Sequence, residues 1–462
     1  MIKKVLRYCN FLFIMFPLLI MCNDKEHIPN EKLNPVPENG ITKYILSAEV
    51  VNKKGALVTF DNAQKVLFIK IPRYLNKTDL KIKLHLNDGV SMIYPLTQEA
   101  EYNLLDTDTK IWLKSGGKTI IFEVKYEDII GEDSAIGKAD IRDMVLIYDG
   151  GAHRTIVWNE KMLEAYISID NKNKEQKRWL FDGFLFLEIH NGTRGFASGY
   201  RSLPARKVEW IGLMNGYLKE GKSLRALNDG IESVKPYAPD YGKRKIVMSL
   251  PEPIPNQKDW GELNGKIMNF SSTQDRIEAV KWYIDFLIEE FKKAELNNLQ
   301  LAGFYWLAEE ATNTRTILKE ISDYIKSKDL KFYWIPYYNT DGWNEWKALG
   351  FDKAYQQPNY FFSTSIPDSR IDDACRRAQE WGMDLELEFD NRASGAGGGW
   401  GSRLKTYIDG FKKNGVFENN DLAYYEGSGA LYILKNGDIQ DKALFQELAD
   451  IIAERQEKFY GK

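Results

Sequence analysis

Two different hydrophobic periodicities divide the chain. From about Ile41 to Tyr126 the apolar residues occur in short stretches bounded by turn residues, and over Leu80–Leu86 they alternate strictly with polar ones. This alternation places four aliphatic side chains on one face of a β-strand, and Gly116-Gly117 suits a tight hairpin. Short strands without a helical period predict a small all-β sandwich over residues 41–128. The other strands predicted in this region are Lys65–Ile71 and Thr119–Tyr126.

From residue 140 to the end, apolar runs of strand length alternate with amphipathic segments. The clearest predicted helix is Thr273–Leu296, whose apolar residues recur at three- and four-residue steps and whose start is marked by Ser272 and Asp275. Further helices are predicted at Thr316–Lys328, Asp368–Trp381, Ser402–Lys413 and Lys442–Lys458. The predicted strands are Met144–Tyr148, Phe184–Ile189, Lys245–Leu250, Leu299–Leu307, Phe332–Tyr337, Ala354–Gln357, Leu385–Phe389 and Leu422–Tyr425. Strand and helix in regular alternation predict an α/β fold, a (β/α)8 barrel. A doubly wound open sheet is the alternative, but no glycine-rich turn follows the first strand.

Two of the predicted barrel strands run directly into acidic residues. The fourth ends in Glu309-Glu310, and the seventh carries Glu386, Glu388 and Asp390. Acids at the end of a buried strand cost desolvation free energy unless they are paired or used. The C-terminal strand ends of such a barrel form the floor of its active site, and glycoside hydrolysis requires two carboxyl groups. The alternative is that these acids pair with arginine or lysine side chains inside the barrel.

The roles of these acids follow partly from strand geometry. The choice between Glu309 and Glu310 stays open, because successive side chains of a strand face opposite ways. The acids of the seventh strand share one parity, so we expect them to face the interior together. Glu388 is the predicted nucleophile, and Asp390 is predicted to support it or to bind a sugar hydroxyl. Trp306 is expected to keep the strand-four acid protonated, whereas the strand-seven acid stays ionised.

Other polar and aromatic residues are predicted near the same strand ends. Hydrogen-bond acceptors and amides that converge on one rim suit a polyhydroxylated ligand, and a loop tryptophan can stack on a sugar face. The predicted substrate-binding residues are Asp149, His190, Trp306, Tyr337, Tyr338, Asn339, Gln357, Asn359, Asp390, Trp400 and Glu426. No metal or other cofactor is predicted, because only His153 and His190 fall in the barrel and no ligand spacing surrounds them.

The N-terminus has the features of a secretory signal. Lys3, Lys4 and Arg7 precede an apolar run that ends at Cys22, after which the chain turns polar. This arrangement resembles a bacterial lipoprotein signal, which implies residues 1–22 as signal peptide and Cys22 as the lipidated residue. An uncleaved anchor or simple secretion is the alternative. Residues 23–40, rich in proline, asparagine and glutamate, predict a flexible tether.

Composition restricts the classes of partner. The 462 residues are 44% hydrophobic and 28% charged, with a formal net charge of -3 and no basic block. These values are typical of globular domains and give no indication of a nucleic-acid partner. After signal cleavage only Cys22 and Cys375 remain, so no disulfide network is expected.

The barrel region resembles, along nearly its whole length, a bacterial family of unknown function (domain of unknown function 4855) that is regarded as glycosidase-like. The motifs that carry the resemblance are Gly303–Trp306 followed by a glutamate, Trp334–Tyr338, Gln357–Tyr360 and Glu386–Asp390. The arrangement is also similar to the largest group of retaining glycosidases, in which the acid/base ends strand four and the nucleophile ends strand seven. The spacing of that resemblance favours Glu309 as the acid, although this chain lacks the asparagine that usually precedes it.

The segment order resembles bacterial glycan-degrading lipoproteins, in which an immunoglobulin-like module precedes the catalytic domain. The hypothesis is therefore a glycoside hydrolase of oligo- or polysaccharides with a two-carboxylate, retaining mechanism. It would be held in the cell envelope as an outer-membrane lipoprotein, at the surface or in the periplasm. Its only membrane contact would be the lipid anchor, and other glycan-utilisation proteins are candidate partners. The main alternative is a non-catalytic glycan-binding lipoprotein, and a weaker one is an isomerase or lyase on the same barrel.

Overall fold

The computed structural model describes residues 43–53, 56–72, 77–106, 108–129, 140–151, 153–172, 175–427 and 429–460. These residues belong to one compact unit. The predicted signal peptide, the tether and Cys22 lie outside the described residues, and the predicted domain boundaries stay predictions. Within the described ranges, no helix combines the length and the apolar character needed to cross a membrane.

The first strands form a sandwich of two sheets around an apolar core. One sheet has the order β1-β4-β6 and the other β2-β3-β8-β7-β5, with β3 and β8 parallel and the remaining pairs antiparallel. The predicted alternation is confirmed, since Leu80, Ile82 and Leu84 are fully buried between the sheets. Gly116 and Gly117 take φ values of 54° and 80°, as the predicted hairpin requires. The strands are β1 (Ile45–Val50), β2 (Leu57–Asp61), β3 (Val66–Pro72), β4 (Leu80–Leu86), β5 (Val90–Tyr94), β6 (Glu99–Tyr102), β7 (Lys110–Ser115) and β8 (Lys118–Ile129).

The second part of the chain is a closed barrel of eight parallel strands. The predicted (β/α)8 architecture is thereby confirmed, and each strand lies within a few residues of its predicted position. In chain order, barrel strands one to eight are β9 (Asp143–Tyr148), β12 (Gly183–Leu187), β15 (Arg244–Leu250), β18 (Leu299–Trp306), β19 (Lys331–Trp334), β20 (Lys353–Gln356), β21 (Asp384–Glu388) and β22 (Leu422–Tyr425). The loops carry three short pairs, β10 (Ser168–Asp170) with β11 (Lys177–Trp179), β13 (Arg194–Gly195) with β14 (Leu203–Pro204), and β16 (Glu262–Leu263) with β17 (Lys266–Ile267).

Amphipathic helices cover the outside of the barrel. In the longest predicted one, Ser272 caps the N-terminus by accepting a hydrogen bond from the Asp275 backbone N–H at 3.3 Å, and Ile277, Ile284 and Leu287 are buried against the strands. The helices are α1 (Glu160–Ile167), α2 (Lys207–Tyr217), α3 (Ser223–Val234), α4 (Thr273–Lys293), α5 (Arg315–Lys326), α6 (Trp346–Leu349), α7 (Ser369–Trp381), α8 (Gly401–Lys413), α9 (Val416–Asn419), α10 (Ala430–Asn436) and α11 (Ile439–Tyr460). Single 3-10 turns occur at Lys235–Tyr237, Trp343–Glu345 and Asn391–Ala393.

A buried polar cluster closes the N-terminal end of the barrel. The Arg455 guanidinium donates to Asp143 Oδ1 at 2.7 Å, and Tyr424 and Gln456 donate to the same carboxylate at 2.7 and 2.9 Å. The protein therefore supplies hydrogen-bond donors to both oxygens of the buried Asp143 carboxylate. The open end of the barrel is the opposite one, where the acid-bearing strand ends meet.

Candidate active site

A cavity of about 300 Å³ opens at the C-terminal ends of the barrel strands. It brings together Glu309, which follows strand four, with Glu386 and Glu388 of strand seven. Three of the predicted binding residues, Tyr337, Gln357 and Asn359, also line it. The remaining lining residues are Leu146, Tyr148, Arg154, Ile189, Tyr200, Tyr305, Ile335, Phe362 and Tyr425.

Glu309, and not Glu310, faces this cavity. Desolvation by burial raises its pKa to about 7, although hydrogen bonds from the Gln357 and Tyr200 side chains favour the ionised form. Glu310 is exposed and lines a neighbouring cavity instead. Of the two carboxyls between which strand geometry left the choice open, only that of Glu309 therefore lies in one cavity with the acids of strand seven.

Glu388 is held by two hydrogen bonds from the protein. The Asn359 backbone N–H donates to its Oε2 at 2.5 Å, and the Tyr407 hydroxyl donates to the same oxygen at 3.1 Å. Asn359 has a φ of 49°, a left-handed conformation that asparagine tolerates better than most residues. Burial outweighs both hydrogen bonds and raises the Glu388 pKa to about 8.

Glu386 lies beside Glu388 and is 2% exposed. Burial, followed by repulsion from Glu388 and Glu309, raises its pKa well above the usual value for glutamate. Its Oε1 has no hydrogen-bond partner among the described residues. Three carboxyls in one buried space cannot all be ionised, so the cavity retains protons at neutral pH.

The expectation that the strand-four acid stays protonated while the strand-seven acid stays ionised is wrong. The pKa values of Glu309 and Glu388 are both raised, to about 7 and about 8. The physical reason is that burial desolvates both carboxyls, and the hydrogen bonds that favour their ionised forms only partly offset it. Trp306 does not contribute as expected, because it is fully buried and packs against Phe332 with 6.1 Å between ring centroids. It is absent from the cavity lining.

One wall of the cavity is aromatic and cationic. Glu188 binds the Arg154 guanidinium through hydrogen bonds of 2.7 and 2.8 Å, and this cation lies 4.9 Å from the centroid of the Tyr148 ring. Tyr148 packs edge-on against Tyr425 at 5.6 Å, and Tyr425 against Phe362 at the same distance. Rings in this arrangement present flat apolar faces beside polar edges.

Two predicted acids are used in loop structure away from the cavity. Asp149 accepts hydrogen bonds from the Ser223 hydroxyl and from the Gly150 backbone N–H. Glu426 is 1% exposed and accepts from the Tyr166 hydroxyl at 2.8 Å and from the backbone N–H groups of Gly429 and Leu431 at the start of α10. Neither lines the cavity, because their strand-end loops turn both carboxylates toward backbone donors.

Neither Asp390 nor Trp400 lines the cavity. The chain turns after Glu388 into a 3-10 helix, and Asp390 caps it by accepting from the Arg392 backbone N–H at 2.9 Å. Its carboxylate also pairs with the Arg392 side chain at 2.7 Å. That guanidinium lies 4.5 Å from the Trp400 ring, which lines a separate cavity. The prediction that alternate residues of strand seven face the interior therefore holds as far as Glu388 and fails at Asp390, which lies beyond the end of the strand.

His190, Tyr338 and Asn339 also lie outside the cavity lining. His190 stacks on His153 at 4.0 Å, and its Nδ1 accepts the Gly192 backbone N–H. The Tyr338 hydroxyl donates to an aspartate of α7 at 2.5 Å, and the Asn339 side chain accepts from an arginine of the same helix. These side chains therefore anchor loops. Within the described residues, no group of three or more histidine, cysteine, aspartate or glutamate side chains could hold a metal ion.

Comparison with known proteins places the barrel in a family. The family model described as Domain of unknown function (DUF4855) matches residues 143–450. The chain belongs to this family. The DUF4855 match begins at the first residue of β9 and ends inside α11, so it covers the barrel strands. No curated protein matches the sequence.

Solved structures of several kinds are similar to this DUF4855 member. A candidate alpha-L-fucosidase from Bacteroides thetaiotaomicron is 13% identical, with a TM-score of 0.36, and the alignment covers 70% of this chain and 95% of that one. A candidate glycoside hydrolase from the same organism is 10% identical with a TM-score of 0.17, and the chain spans about a third of its length (32% of this chain and 34% of that one). A tryptophan synthase alpha-subunit from Pyrococcus furiosus is 11% identical with a TM-score of 0.30, covering 69% and 97%.

Proposed function

We propose that this protein is a glycoside hydrolase that cleaves an oligo- or polysaccharide with two carboxyl groups. The observation that supports it most directly is that Glu309 and Glu388, which are far apart in sequence, face one cavity at the open end of the barrel. Hydrolysis of a glycosidic bond needs one carboxyl to protonate the leaving oxygen and another to act at the sugar carbon.

Glu309 is the proposed general acid. A pKa of about 7, which is due to burial, keeps this carboxyl largely protonated at neutral pH. The Tyr200 and Gln357 side chains that hydrogen-bond to it orient the group. They also stabilise the carboxylate that remains after the proton has moved to the leaving oxygen, so that it can then accept a proton from water.

Glu388 is the proposed nucleophile, and it must be ionised to act. The Asn359 N–H and the Tyr407 hydroxyl stabilise its anion. Burial and repulsion from Glu388 and Glu309 favour the neutral form of Glu386, so in this proposal it holds a proton while Glu388 loses one. An oxocarbenium-like transition state develops positive charge beside the ionised Glu388 carboxylate, which stabilises it.

The aromatic wall supports a sugar as the ligand. Tyr148, Tyr425 and Phe362 offer ring faces to the apolar side of a pyranose. The Arg154–Glu188 pair, the Gln357 amide and the Tyr200 hydroxyl provide donors and acceptors for its hydroxyls.

Product analysis of a broad glycan library by mass spectrometry, with the variants Glu309→Gln and Glu388→Gln, tests the proposal. Each variant should lose roughly 100- to 10,000-fold in turnover, the range for a lost acid, base or nucleophile. Glu289→Gln, on the exposed face of α4, is the control and should keep the unaltered rate. Unchanged turnover in both cavity variants would defeat the assignment, and sugar affinity without product would favour the glycan-binding alternative.

We further propose that the protein is a lipoprotein of the cell envelope, anchored through Cys22. The support is the sequence before it, a basic segment followed by an apolar run. Metabolic labelling with an alkyne fatty acid should mark the full chain and the Cys375→Ser control, but not Cys22→Ser. Label retained in Cys22→Ser would contradict the anchor.

A further inference from the structure

A second cavity of about 330 Å³ adjoins the first. The two share Glu309, Tyr200 and Tyr337, so the proposed general acid stands on the boundary between them. Glu388 lines only the first cavity and Glu252 only the second. A general acid must reach the oxygen that joins the two halves of the substrate. If the sugar that is attacked lies beside Glu388, the leaving half therefore lies on the other side of Glu309.

Glu252, just beyond the end of strand three, carries an unused acceptor in this second cavity. The residue is 2% exposed, and its Oε2 accepts the Ser198 backbone N–H at 2.6 Å. Its Oε1 has no hydrogen-bond partner among the described residues. Buried polar atoms are rarely left unpaired, so an oxygen of this kind in a cavity wall indicates a ligand that donates to it.

The neighbouring guanidinium does not neutralise this carboxylate. Arg276 donates to the backbone oxygens of Pro253 at 2.8 Å and of Asn313 at 2.6 Å. It forms no ion pair with Glu252 among the described residues and does not line the cavity. Its electrostatic effect on Glu252 is smaller than that of burial, which raises the pKa of this carboxyl.

Among the described residues that line the second cavity, all the side chains that can carry a full charge at neutral pH are acidic. Its ionisable wall comprises Glu252, Glu309 and Glu310, and no lysine or arginine is among the described residues that line it. The other polar side chains that line it are those of Ser198, Tyr200, Asn313, Tyr337 and Thr340. The carboxyl oxygens of such a wall accept hydrogen bonds from hydroxyl or ammonium groups, and the described lining offers no cation to pair with a carboxylate or sulfate.

We propose that the second cavity is the subsite for the leaving-group sugar, that Glu252 accepts a hydrogen bond from this sugar, and that the subsite takes an uncharged or amine-bearing unit and rejects an anionic one. The inference rests on the proposed function and adds to it the chemical class of one half of the substrate. The contact lies on the leaving side only, so it contributes nothing to a substrate whose leaving group lacks hydroxyls.

The test compares substrates that differ only in the leaving group. The library first identifies the sugar that the full chain releases. The substrates are then its 4-nitrophenyl glycoside and the disaccharides in which it is linked to a neutral hexose, to a hexosamine or to a uronic acid. The unaltered chain should cleave the neutral and amine-bearing disaccharides with kcat/KM at least about tenfold above the uronic acid one, since the described lining has no cation to pair with a uronate.

Glu252→Gln should lower kcat/KM on the neutral disaccharide about tenfold, chiefly through KM, because the acceptor becomes a donor. On the nitrophenyl glycoside its effect should stay within about twofold. Asn313→Ala, which changes the same wall without altering charge, should show the same split. Melting temperatures of both variants check that they fold. The double variant Glu252→Gln/Glu310→Gln should narrow the discrimination against the uronic acid disaccharide.

The outcomes separate the two proposals. Any of three results would overturn the leaving-group assignment while hydrolysis itself stands. In Glu252→Gln, kcat/KM could fall equally on the aryl glycoside and the disaccharide, or fall on neither. The unaltered chain could also prefer the uronic acid disaccharide. If the unaltered chain hydrolyses none of the library glycans, the proposed function fails, and the subsite assignment fails with it.

Discussion

The protonation of Glu388 is the most sensitive feature of the site at the scale of single residues. Its pKa of about 8 reflects burial that is only partly offset by Asn359 and Tyr407. Because the pKa of Glu309 is lower, at about 7, a single proton shared by the two carboxyls lies more often on Glu388. Activity requires the less common arrangement, in which Glu309 holds the proton and Glu388 does not. The dependence of kcat/KM on pH should therefore be bell-shaped, with its maximum between about 7 and 8.

Tyr407→Phe tests this balance. The Tyr407 hydroxyl bonds the ionised form of Glu388, so its removal raises the Glu388 pKa and moves the upper limb of the profile to higher pH. The competent protonation state becomes rarer, and kcat/KM should fall about three- to tenfold, the worth of one hydrogen bond. A downward shift of the upper limb would contradict the assigned role.

The burial of Glu388 should also lower the free energy of unfolding when its carboxyl is ionised. A carboxyl whose folded pKa is about 8 instead of the usual 4.5 binds its proton more tightly in the folded state. Its contribution to the free energy of unfolding therefore falls as pH rises from about 4.5 to 8.

Glu388→Gln removes that cost. The variant should melt at least about 3 °C above the unaltered protein at pH 9 and show a smaller difference at pH 5, as measured by calorimetry. Glu289→Gln, whose side chain is exposed, should show no such pH dependence. A lower melting temperature for Glu388→Gln at pH 9 would show that its carboxylate is stabilised in the fold.

Sequence reasoning located part of this site. Glu309 and Glu388 could be found because buried strands that end in acids are unusual, and Tyr148 and Tyr425 had a comparable signal as the last residues of strands one and eight. Tyr407 had none, since it comes from α8 and reaches Glu388 only through the packing of that helix. Arg154 and Tyr200 lie in loops, whose course a periodic pattern does not specify.

At the scale of elements, the close approach of strands four and five depends on one glycine. A Cβ on Gly303 would lie 2.1 Å from the Lys331 carbonyl oxygen and 2.7 Å from the Tyr333 ring. Gly303→Ala should therefore force the strands apart and lower the free energy of unfolding by about 1–3 kcal/mol or more in chemical denaturation.

Gly212→Ala provides the matched control. Gly212 lies in α2, and an added Cβ there meets nothing within 4 Å. Alanine has the higher helix propensity, so this change should stabilise by about 0.5–1 kcal/mol. Equal effects of the two substitutions would show that the contact across the strands is not a constraint.

The elements themselves were predictable because their apolar pattern is strong. Every barrel strand was expected within a few residues of its observed position, since buried parallel strands are continuous apolar runs. Their ends were less predictable. Asp390 has the parity of Glu388 but turns away, because a hydrogen bond to the Arg392 backbone starts a new turn there. The hydrogen bonds between neighbouring barrel strands decide which side chains face the interior. The alternation of side-chain direction therefore ends where this strand pairing ends.

At the scale of the whole molecule, the site is a composite. The main cavity draws on strands one, four, seven and eight and on the loops after strands one, two, four, five and six. Barrel closure brings strands four and seven to one rim, and sequence predicts that closure only through the count of strand and helix units. The adjoining cavity was not predicted, because it depends on how one loop packs against the next. Glu310 had the signal of an acid at a strand end, whereas Glu252 had none.

The central claim is that Glu388 attacks the sugar and Glu309 serves as acid and base, and azide rescue of alanine variants tests it most directly. On an activated aryl glycoside, azide should restore turnover to Glu388→Ala and give a glycosyl azide of inverted anomeric configuration. With Glu309→Ala it should give the azide of retained configuration. Rescue of neither variant, or the same configuration from both, would contradict the account.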